Sequence, residues 1–449
     1  MWPRVALAVA VVAGLVWLAA RPHHWRPLSG APLFASCSDF GYVNGWCADL
    51  PLRGTRLHVS VIPAVVGPAQ GALFYLEGGP GGAATQSAIR VNEIFARVGK
   101  HRDLVMVDQR GTGGSQALSC PVRNVRARDA AAVTAYLRSC SQQLVRARPD
   151  TTSAAADDLE AVRRALGYGK VDVYGASYGA TLAQVYLERH PGSVRTMMLD
   201  GGSLPSVRIY DASVRNAQHA LDATIARCGA ACRQTNDQLA TLLRRPREHV
   251  LAATGPVDLQ PDDIAWTVAA LSETPDGAAS IPAAVRAAAH GNYLELARDY
   301  TTRVGPYLDP RLRLAMVWVI LCSEPWARFG RPAGDGYLAA AAAARAHVFE
   351  QACRVVPKAQ VTAWSAQPSQ VPVLLLAGGA DPLDPPANLR GWRRLYPNGR
   401  LVVVPGAAHG VSDFPCVQTL IARFVDAGGA RSFDTSCARR VQLPAFETG

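Results

Sequence analysis

Short, almost wholly apolar runs alternate with helix-like segments through the first part of this chain. Two of the runs, ALFYLEGG and DLVMVDQRG, end in glycine, and a third, VDVYGAS, follows a segment with an acidic first turn and a terminal glycine, SAAADDLEAVRRALGYG. Runs that are apolar throughout are typical of strands buried on both faces of a parallel sheet, with helices as the connections. This order predicts an α/β fold built on a mostly parallel sheet with helices on both faces.

The pattern changes over roughly residues 205–368. Helical segments rich in Ala and Arg, such as YLAAAAAARAHVFEQAC, dominate there, and buried-strand runs return only with PVLLLAGGADP and LVVVPGAAHG. The simplest interpretation is one sheet domain that is interrupted by a helical insertion. We therefore expect residues 25–204 and 369–449 to form the sheet domain and residues 205–368 to form the insertion.

The first 24 residues have a different character. Arg4 precedes an uncharged, apolar run of residues 5–20, which is a little short for a membrane span and slightly long for the core of an export signal. Cleavage after Ala20 would place Leu18 where a small residue is preferred. Residues 1–24 are thus predicted to be a signal peptide, or an anchor that tethers the protein to the membrane through residues 5–20. In both cases the rest of the chain is exported, to the periplasm or out of the cell.

The chain contains ten cysteines, which fits an exported protein because the compartments beyond the membrane are oxidising. Spacing does not fix their connectivity, but pairing sequential neighbours gives five short loops: Cys37–Cys47, Cys120–Cys140, Cys228–Cys232, Cys322–Cys353 and Cys416–Cys437. The CxxxC at Cys228 has no histidine or second cysteine pair nearby in sequence to complete four zinc ligands. We expect neither a metal site nor a cofactor.

The formal net charge of +11 comes almost entirely from arginine, since lysine occurs only at Lys100, Lys170 and Lys358. The arginines are scattered among aspartates and glutamates, and the sequence has no basic tract. A surface that binds a polyanion normally needs clustered positive charge. Nucleic-acid binding is therefore not expected.

The motif GASYG, residues 175–179, stands where a predicted strand ends and a predicted helix begins. A nucleophile at such a sharp turn needs small residues on both sides, because the neighbouring elements approach closely. The following helix places positive potential at its N-terminus, where an oxyanion would form. This context favours Ser177 as a nucleophile over the alternative, a serine that only shapes a tight turn.

A serine hydroxyl needs a base to take its proton and a third group to orient that base. In a sheet of this kind the expected chain order is serine, then an acid, then histidine, the last two after late strands. Asp381 directly follows PVLLLAGGA, and His409 follows LVVVPGAA in a glycine-flanked loop. Taken singly, the first could be a turn residue and the second a surface histidine, but their order favours a triad. Asp384 competes for the role of acid, whereas Asp413 is too close to the histidine in the chain.

An oxyanion hole needs two backbone N–H donors. One is expected from Tyr178, the residue after the serine. The other is expected from the glycine-rich LEGGPGG, residues 76–82, which follows an early buried strand and lets the main chain face a reacting carbonyl. The alternative is a plain flexible loop.

Together, GGPGG, DQRGTGGS and GASYG resemble the proline iminopeptidase and tripeptidyl aminopeptidase group of serine peptidases. The segments CADLPL, LCSE and ADPLDPP are more similar to the secreted, tripeptidyl-aminopeptidase-like branch. The resemblance spans roughly residues 37–437 and is weakest through the insertion. It implies an α/β-hydrolase fold in which the insertion is a helical cap domain.

The resemblance also implies roles for individual residues. Ser177 would be the nucleophile, Asp381 the orienting acid and His409 the general base, while Gly79 and Tyr178 would donate to the oxyanion. Cap carboxylates of such enzymes hold the free α-ammonium of the substrate.

Glu324, in an apolar context after Cys322, is the candidate for that contact, because a buried carboxylate is costly without a cation to pair with it. A salt bridge with a nearby arginine is the equally open alternative. Asp108 and Arg110 would brace the glycine-rich loop. The glycine motif begins at Glu77, where proline iminopeptidases usually have histidine, which favours the tripeptidyl branch or a divergent specificity.

These features predict an exported serine aminopeptidase that acts on peptides with a free N-terminus. An esterase or small-amide hydrolase with the same triad is the alternative, and it would need no anchor for an amine. A binding protein that has kept the fold without catalysis is a third hypothesis, although no triad member is missing. The oligomeric state and the number of residues released are left open by the sequence.

Overall fold

The computed structural model describes residues 34–37, 45–118, 120, 129–252, 255–304, 314–327, 336–361, 364, 366–429 and 434–447. The predicted signal or anchor, residues 1–24 with the apolar run 5–20, lies outside the described residues. Among the described helices, none is long and apolar enough to cross a membrane.

Within the described residues, nine strands form one sheet in the order β1-β2-β3-β5-β4-β6-β7-β10-β11. The strands are β1 Ala35–Ser36, β2 Trp46–Leu52, β3 Thr55–Ile62, β4 Ala72–Leu76, β5 Asp103–Val107, β6 Val171–Ala176, β7 Val194–Asp200, β10 Val373–Gly378 and β11 Arg400–Val404. The neighbouring strands β5, β4, β6, β7, β10 and β11 pair in parallel. At one side of the sheet, β1, β2 and β3 add an antiparallel edge. The predicted, mostly parallel sheet is confirmed.

The described helices are α1 Ala88–Ile94, α2 Ala130–Ser139, α3 Ser141–Arg146, α4 Thr152–Ala165, α5 Tyr178–Arg189, α6 Ile209–Cys228, α7 Thr235–Leu242, α8 Pro261–Leu271, α9 Pro275–Ala289, α10 Leu294–Asp299, α11 Leu314–Ser323, α12 Tyr337–Ala352, α13 Trp392–Leu395 and α14 Pro415–Ala427. In α4 the side chain of Thr151 accepts from the Ala154 N–H at the N-terminus. The acidic pair Asp157 and Asp158 therefore lies in the second turn, one turn later than the sequence suggested.

Successive residues of the buried strands enter two different hydrophobic clusters. Phe74 of β4 belongs to one cluster, which includes residues of α4 and α5, whereas Leu73 and Tyr75 belong to the other, which includes residues of α1 and α14. Since successive side chains of a strand point to opposite faces, helices cover both faces of the sheet. This arrangement is the α/β fold with two helical layers that the sequence predicted.

The chain between β7 and β10 contributes no strand to the main sheet among its described residues. It forms helices α6 to α12 and a separate antiparallel hairpin of β8 (Glu248–Ala252) and β9 (Gly255–Leu259). The side chains of Leu239, Ile264, Val285 and Leu296 lie in one buried cluster of this segment. The sequence pattern does not predict the hairpin, because its strands are short and half-exposed instead of apolar throughout.

Five disulfides link the cysteines as sequential neighbours: Cys37–Cys47, Cys120–Cys140, Cys228–Cys232, Cys322–Cys353 and Cys416–Cys437. The guessed pairing is confirmed, and no cysteine is free. Cys228 and Cys232 thus pair with each other, which leaves no thiolate there for a metal.

Candidate active site

Ser177 stands at the turn between β6 and α5 with φ 53° and ψ −120°. A positive φ in a non-glycine residue is strained, and such strain is concentrated at functional sites. The side chain is partly exposed, although the strand before it and the helix after it are buried. The turn therefore presents the hydroxyl at the carboxyl edge of the sheet.

Both glycines of GASYG are required by close backbone approach. A Cβ at Gly175 would collide with the carbonyl of Gly179, and a Cβ at Gly179 would collide with the carbonyl of Leu76 in β4. Larger residues would force the helix away from the strands. The structure thus gives the physical reason for the small residues on each side of Ser177.

Asp381 and His409 are hydrogen-bonded to each other at this edge. Asp381 follows β10, His409 follows β11, and the distance from Nδ1 of the imidazole to Oδ2 of the carboxylate is 2.8 Å. The other carboxylate oxygen, Oδ1, accepts from the N–H groups of Leu383 and Asp384 at 2.8 and 2.9 Å. These contacts hold the Asp381 carboxylate in a fixed orientation against the ring.

The two competing acids contact other groups. Asp384 is buried, and its Oδ1 accepts from the Ser203 hydroxyl. Asp413 is exposed and pairs with Arg90, with 2.8 Å between Oδ2 and Nη2. The carboxylate that contacts His409 therefore belongs to Asp381.

Three carboxyl groups act on the pKa of His409. Burial lowers the pKa of the imidazole, but Asp381, Asp384 and Glu273 together outweigh it and raise the pKa to about 10. Burial in turn raises the pKa of Asp384 to about 6, an effect that the nearby His409 opposes. Of these three carboxylates, Asp381 is the one that is hydrogen-bonded to the imidazole.

Glu273 comes from the segment between α8 and α9 and was not among the site residues that the sequence predicted. Its backbone carbonyl accepts from the backbone N–H of His409 at 3.3 Å. Its side chain is half-buried, and burial raises the pKa of its carboxyl. Its chain context, LSETPDG, matches no motif. The backbone contact joins two residues that are far apart in the chain, so no local pattern predicts it.

The glycine-rich loop after β4 lies against the serine. A Cβ at Gly78 would be 3.2 Å from the Cβ of Ser177 and 3.8 Å from its Oγ, and Gly79 has φ 118°, a region that favours glycine. The N–H of Gly78 donates to Oε1 of Glu77 at 2.8 Å, and Oε2 of Glu77 accepts from the hydroxyls of Tyr75 and Ser87. The Glu77 carboxylate thus stabilises this loop.

The two polar residues expected to brace the loop behave differently from each other. The Asp108 carboxylate accepts from Thr85 N and Oγ1 at 2.9 and 3.0 Å and so ties the strand end to the segment that follows the glycines. Arg110 instead donates to Asp158 of α4 at 2.6 and 2.7 Å. Both carboxylate oxygens of Asp158 accept from the guanidinium, so Arg110 binds α4.

Glu324, the candidate for the ammonium contact, is 1% exposed. Its oxygens accept from Thr152 N and Thr152 Oγ1, each at 2.7 Å, and from Trp326 Nε1 at 2.6 Å. Burial raises the pKa of its carboxyl, and these donors act in the opposite direction. The Tyr178 hydroxyl lies 2.9 Å from Thr152 Oγ1 and extends the chain of hydrogen bonds. The arrangement favours a structural role, with neutral donors where the sequence suggested an arginine.

Comparisons with known proteins give both a family and relatives. The family profile described as "alpha/beta hydrolase fold" matches residues 71–414. A tripeptidyl aminopeptidase of Streptomyces lividans is 35% identical over 157 residues, which is 30% of this chain and 29% of the relative. The serine protease Hip1 of Mycobacterium tuberculosis is 32% identical over 173 residues, 34% of this chain and 33% of the relative.

A proline iminopeptidase of Neisseria meningitidis is 29% identical over 157 residues, 34% of this chain and 40% of the relative. These alignments thus span well under half of each curated relative's own length. Among solved structures, the chain is similar to a proline iminopeptidase of Mycobacterium smegmatis, with 17% identity, a TM-score of 0.42, and 85% and 98% of the two chains covered.

Proposed function

The chain belongs to the α/β-hydrolase fold family, and on that premise we propose that it is an exported serine aminopeptidase. The observation that carries the proposal is the position of Ser177, strained and partly exposed, at the sheet edge where His409 and Asp381 are paired. Relatives that are named tripeptidyl aminopeptidase and proline iminopeptidase support the reaction class.

The proposed reaction proceeds through an acyl-enzyme. His409 Nε2 takes the proton of the Ser177 hydroxyl as Oγ forms a bond to the carbonyl carbon of the peptide, and Asp381 holds the imidazole through Nδ1. The imidazolium then gives its proton to the leaving amine as the C–N bond breaks. Water, deprotonated by the same imidazole, hydrolyses the ester and restores the serine.

The negative charge of each tetrahedral intermediate needs donors that are fixed before the reaction. We assign them to the backbone N–H groups of Gly79 and Tyr178. Tyr178 opens α5, so its N–H has no partner within the helix. The N–H of Gly78 is already used by Glu77, which supports its neighbour as the second donor.

The preference for a free N-terminus is proposed to come from Glu273. Its half-buried carboxylate stands close enough to His409 to raise the pKa of that histidine, so an ammonium paired with it would lie beside the reacting carbonyl. Glu324 is a weaker candidate, because Thr152 and Trp326 already supply donors to its oxygens. Residues 205–368, which carry Glu273, are proposed to form the cap over the site.

Export is proposed from two features together. The uncharged, apolar residues 5–20 resemble an export signal or anchor, and the five disulfides fit an oxidising compartment.

A comparison of free and N-acetylated forms of the same peptides tests the proposed activity. The free forms should be cleaved and the acetylated forms resist, with Ser177→Ala inactive on both. Equal turnover of both forms would contradict the exopeptidase. Hydrolysis of simple esters alone would favour the esterase.

A further inference from the structure

Asp200, the last residue of β7, contacts the chain on both sides of the candidate active site. Its backbone carbonyl accepts from the Ser177 N–H at 2.9 Å. Its carboxylate accepts from the N–H groups of Val411 and Ser412 at 2.9 and 3.0 Å, two and three residues after His409. One residue thus joins the nucleophile turn to the loop that carries the base.

A side chain of β6, the strand that precedes Ser177, also binds the Asp200 carboxylate. Tyr174 of β6 donates to Oδ2 of Asp200 at 2.7 Å, and its hydroxyl lies 2.8 Å from Oγ of Ser412. The ring of Tyr174 is fully buried between Tyr75 and Phe95, with centroids 5.7 and 4.8 Å away. The hydroxyl is therefore fixed by aromatic packing.

The next residue, Gly201, lies against the imidazole. A Cβ there would be 3.0 Å from Cε1 and 3.1 Å from Nδ1 of His409, and φ is 59°. The turn that begins at Asp200 therefore leaves no room for a side chain between itself and the ring, while the Asp200 carboxylate binds the loop that follows His409.

We propose that Asp200 is a positioning residue that sets the distance between the Ser177 hydroxyl and the His409 imidazole. A carboxylate is suited to the place because it is acceptor-only, and Tyr174, Val411 and Ser412 each donate to it. Asp200 is 2% exposed, and burial raises the pKa of its carboxyl while Tyr174, Val411 and Ser412 oppose that effect. Those donors are what make a buried charge tolerable there.

Asp200→Asn keeps the shape but places an NH₂ group against a donor, so the histidine loop should shift. Because a misplacement of about 1 Å can cost about 100-fold in rate, the rate of Ser177 labelling by a fluorophosphonate should fall about 10-fold to 100-fold. With a p-nitrophenyl ester, kcat should fall and KM should stay near the wild-type value. Tyr174→Phe should give a smaller loss in the same direction and decides the matter if Asp200→Asn does not fold.

Asp172→Asn is the matched control. Asp172 is also a buried acid, 1% exposed, but it lies at the start of β6, at the opposite edge, where it pairs with Arg102 and Arg195. This variant should lose stability in thermal melts and keep the labelling rate below its melting temperature. Wild-type rates in folded Asp200→Asn and Tyr174→Phe, or an equal loss in Asp172→Asn, would overturn the inference.

The inference rests on the proposed function only in taking Ser177 and His409 as nucleophile and base. Labelling needs no peptide recognition, so it separates the two claims. A labelled wild-type protein whose Asp200 variants react normally contradicts the positioning role alone. An unlabelled wild-type protein contradicts the nucleophile itself, and the positioning role with it.

Discussion

The imidazole of His409 is hydrogen-bonded through Nδ1 to Oδ2 of Asp381 at 2.8 Å, and the aspartate is itself fixed by two backbone N–H groups. This hydrogen bond determines which ring nitrogen is available for proton transfer. With Nδ1 occupied, only Nε2 remains to exchange a proton with a substrate or a nucleophile.

Replacing the two acids of this loop separately should have very different effects. Asp381→Asn loses the acceptor that orients the ring, so kcat/KM should fall by about 10³-fold to 10⁴-fold. Asp384→Asn removes a carboxylate that is hydrogen-bonded to Ser203 and not to the ring, so the fall in kcat/KM should be far smaller. Steady-state kinetics on both variants, with circular dichroism as the folding control, checks this. A larger loss in Asp384→Asn would exchange the two assignments.

The activity should rise with pH into the alkaline range. Burial lowers the pKa of His409, but Asp381, Asp384 and Glu273 raise it to about 10, and a protonated imidazole cannot accept the serine proton. The value of kcat/KM for a neutral ester should therefore increase as the pH approaches 10, with Ser177→Ala as the background.

Glu273→Gln removes one of the three negative charges, so the pKa of His409 should fall. The rise of kcat/KM with pH should then occur at lower pH than in the wild type. A wild-type rise centred near the ordinary histidine pKa, about 6.5, would contradict this account of the site. So would a Glu273→Gln profile that overlays the wild type.

Much of this site was predictable from the sequence because it depends on short segments. The glycines on either side of Ser177 indicate a sharp turn. Asp381 and His409 each follow a buried strand, and the carboxyl ends of these strands lie at one edge of the sheet. The contact of Glu273 with His409, and those of Asp200 with Val411 and Ser412, join residues more than 100 positions apart, so no local pattern reports them. For Glu324 the apolar context was visible, but not the donor Thr152, 172 positions earlier.

Gly175→Ala should destabilise the fold. The new Cβ would lie 2.6 Å from Ala180 N and closer still to Gly179, so α5 would have to move, at a cost of about 1–3 kcal/mol. Gly169→Ala is the control, because a Cβ there meets nothing within 4 Å and the residue precedes the same strand. Urea unfolding of both variants measures the difference, and equal stabilities would refute the close packing at the turn.

Glu324 and Glu273 can be distinguished by how their substitution changes the preference for free over N-acetylated peptides. Glu324→Gln should lower the free energy of unfolding by about 1–3 kcal/mol, because its donors from Thr152 and Trp326 lose a carboxylate acceptor. It should leave the preference for free over acetylated peptides unchanged. Glu273→Gln should reduce that preference by about 10-fold or more, as expected for a hydrogen bond to a charged group. The reverse pattern would make Glu324 the ammonium ligand.

The most direct measurement is the mass of the intact protein after treatment with a fluorophosphonate, followed by peptide mapping. An activated hydroxyl should take up one adduct, on the peptide that contains Ser177, and both Ser177→Ala and His409→Ala should remain unmodified over the same time. A folded wild-type protein that stays unmodified, or that carries the adduct on another residue, would contradict the account.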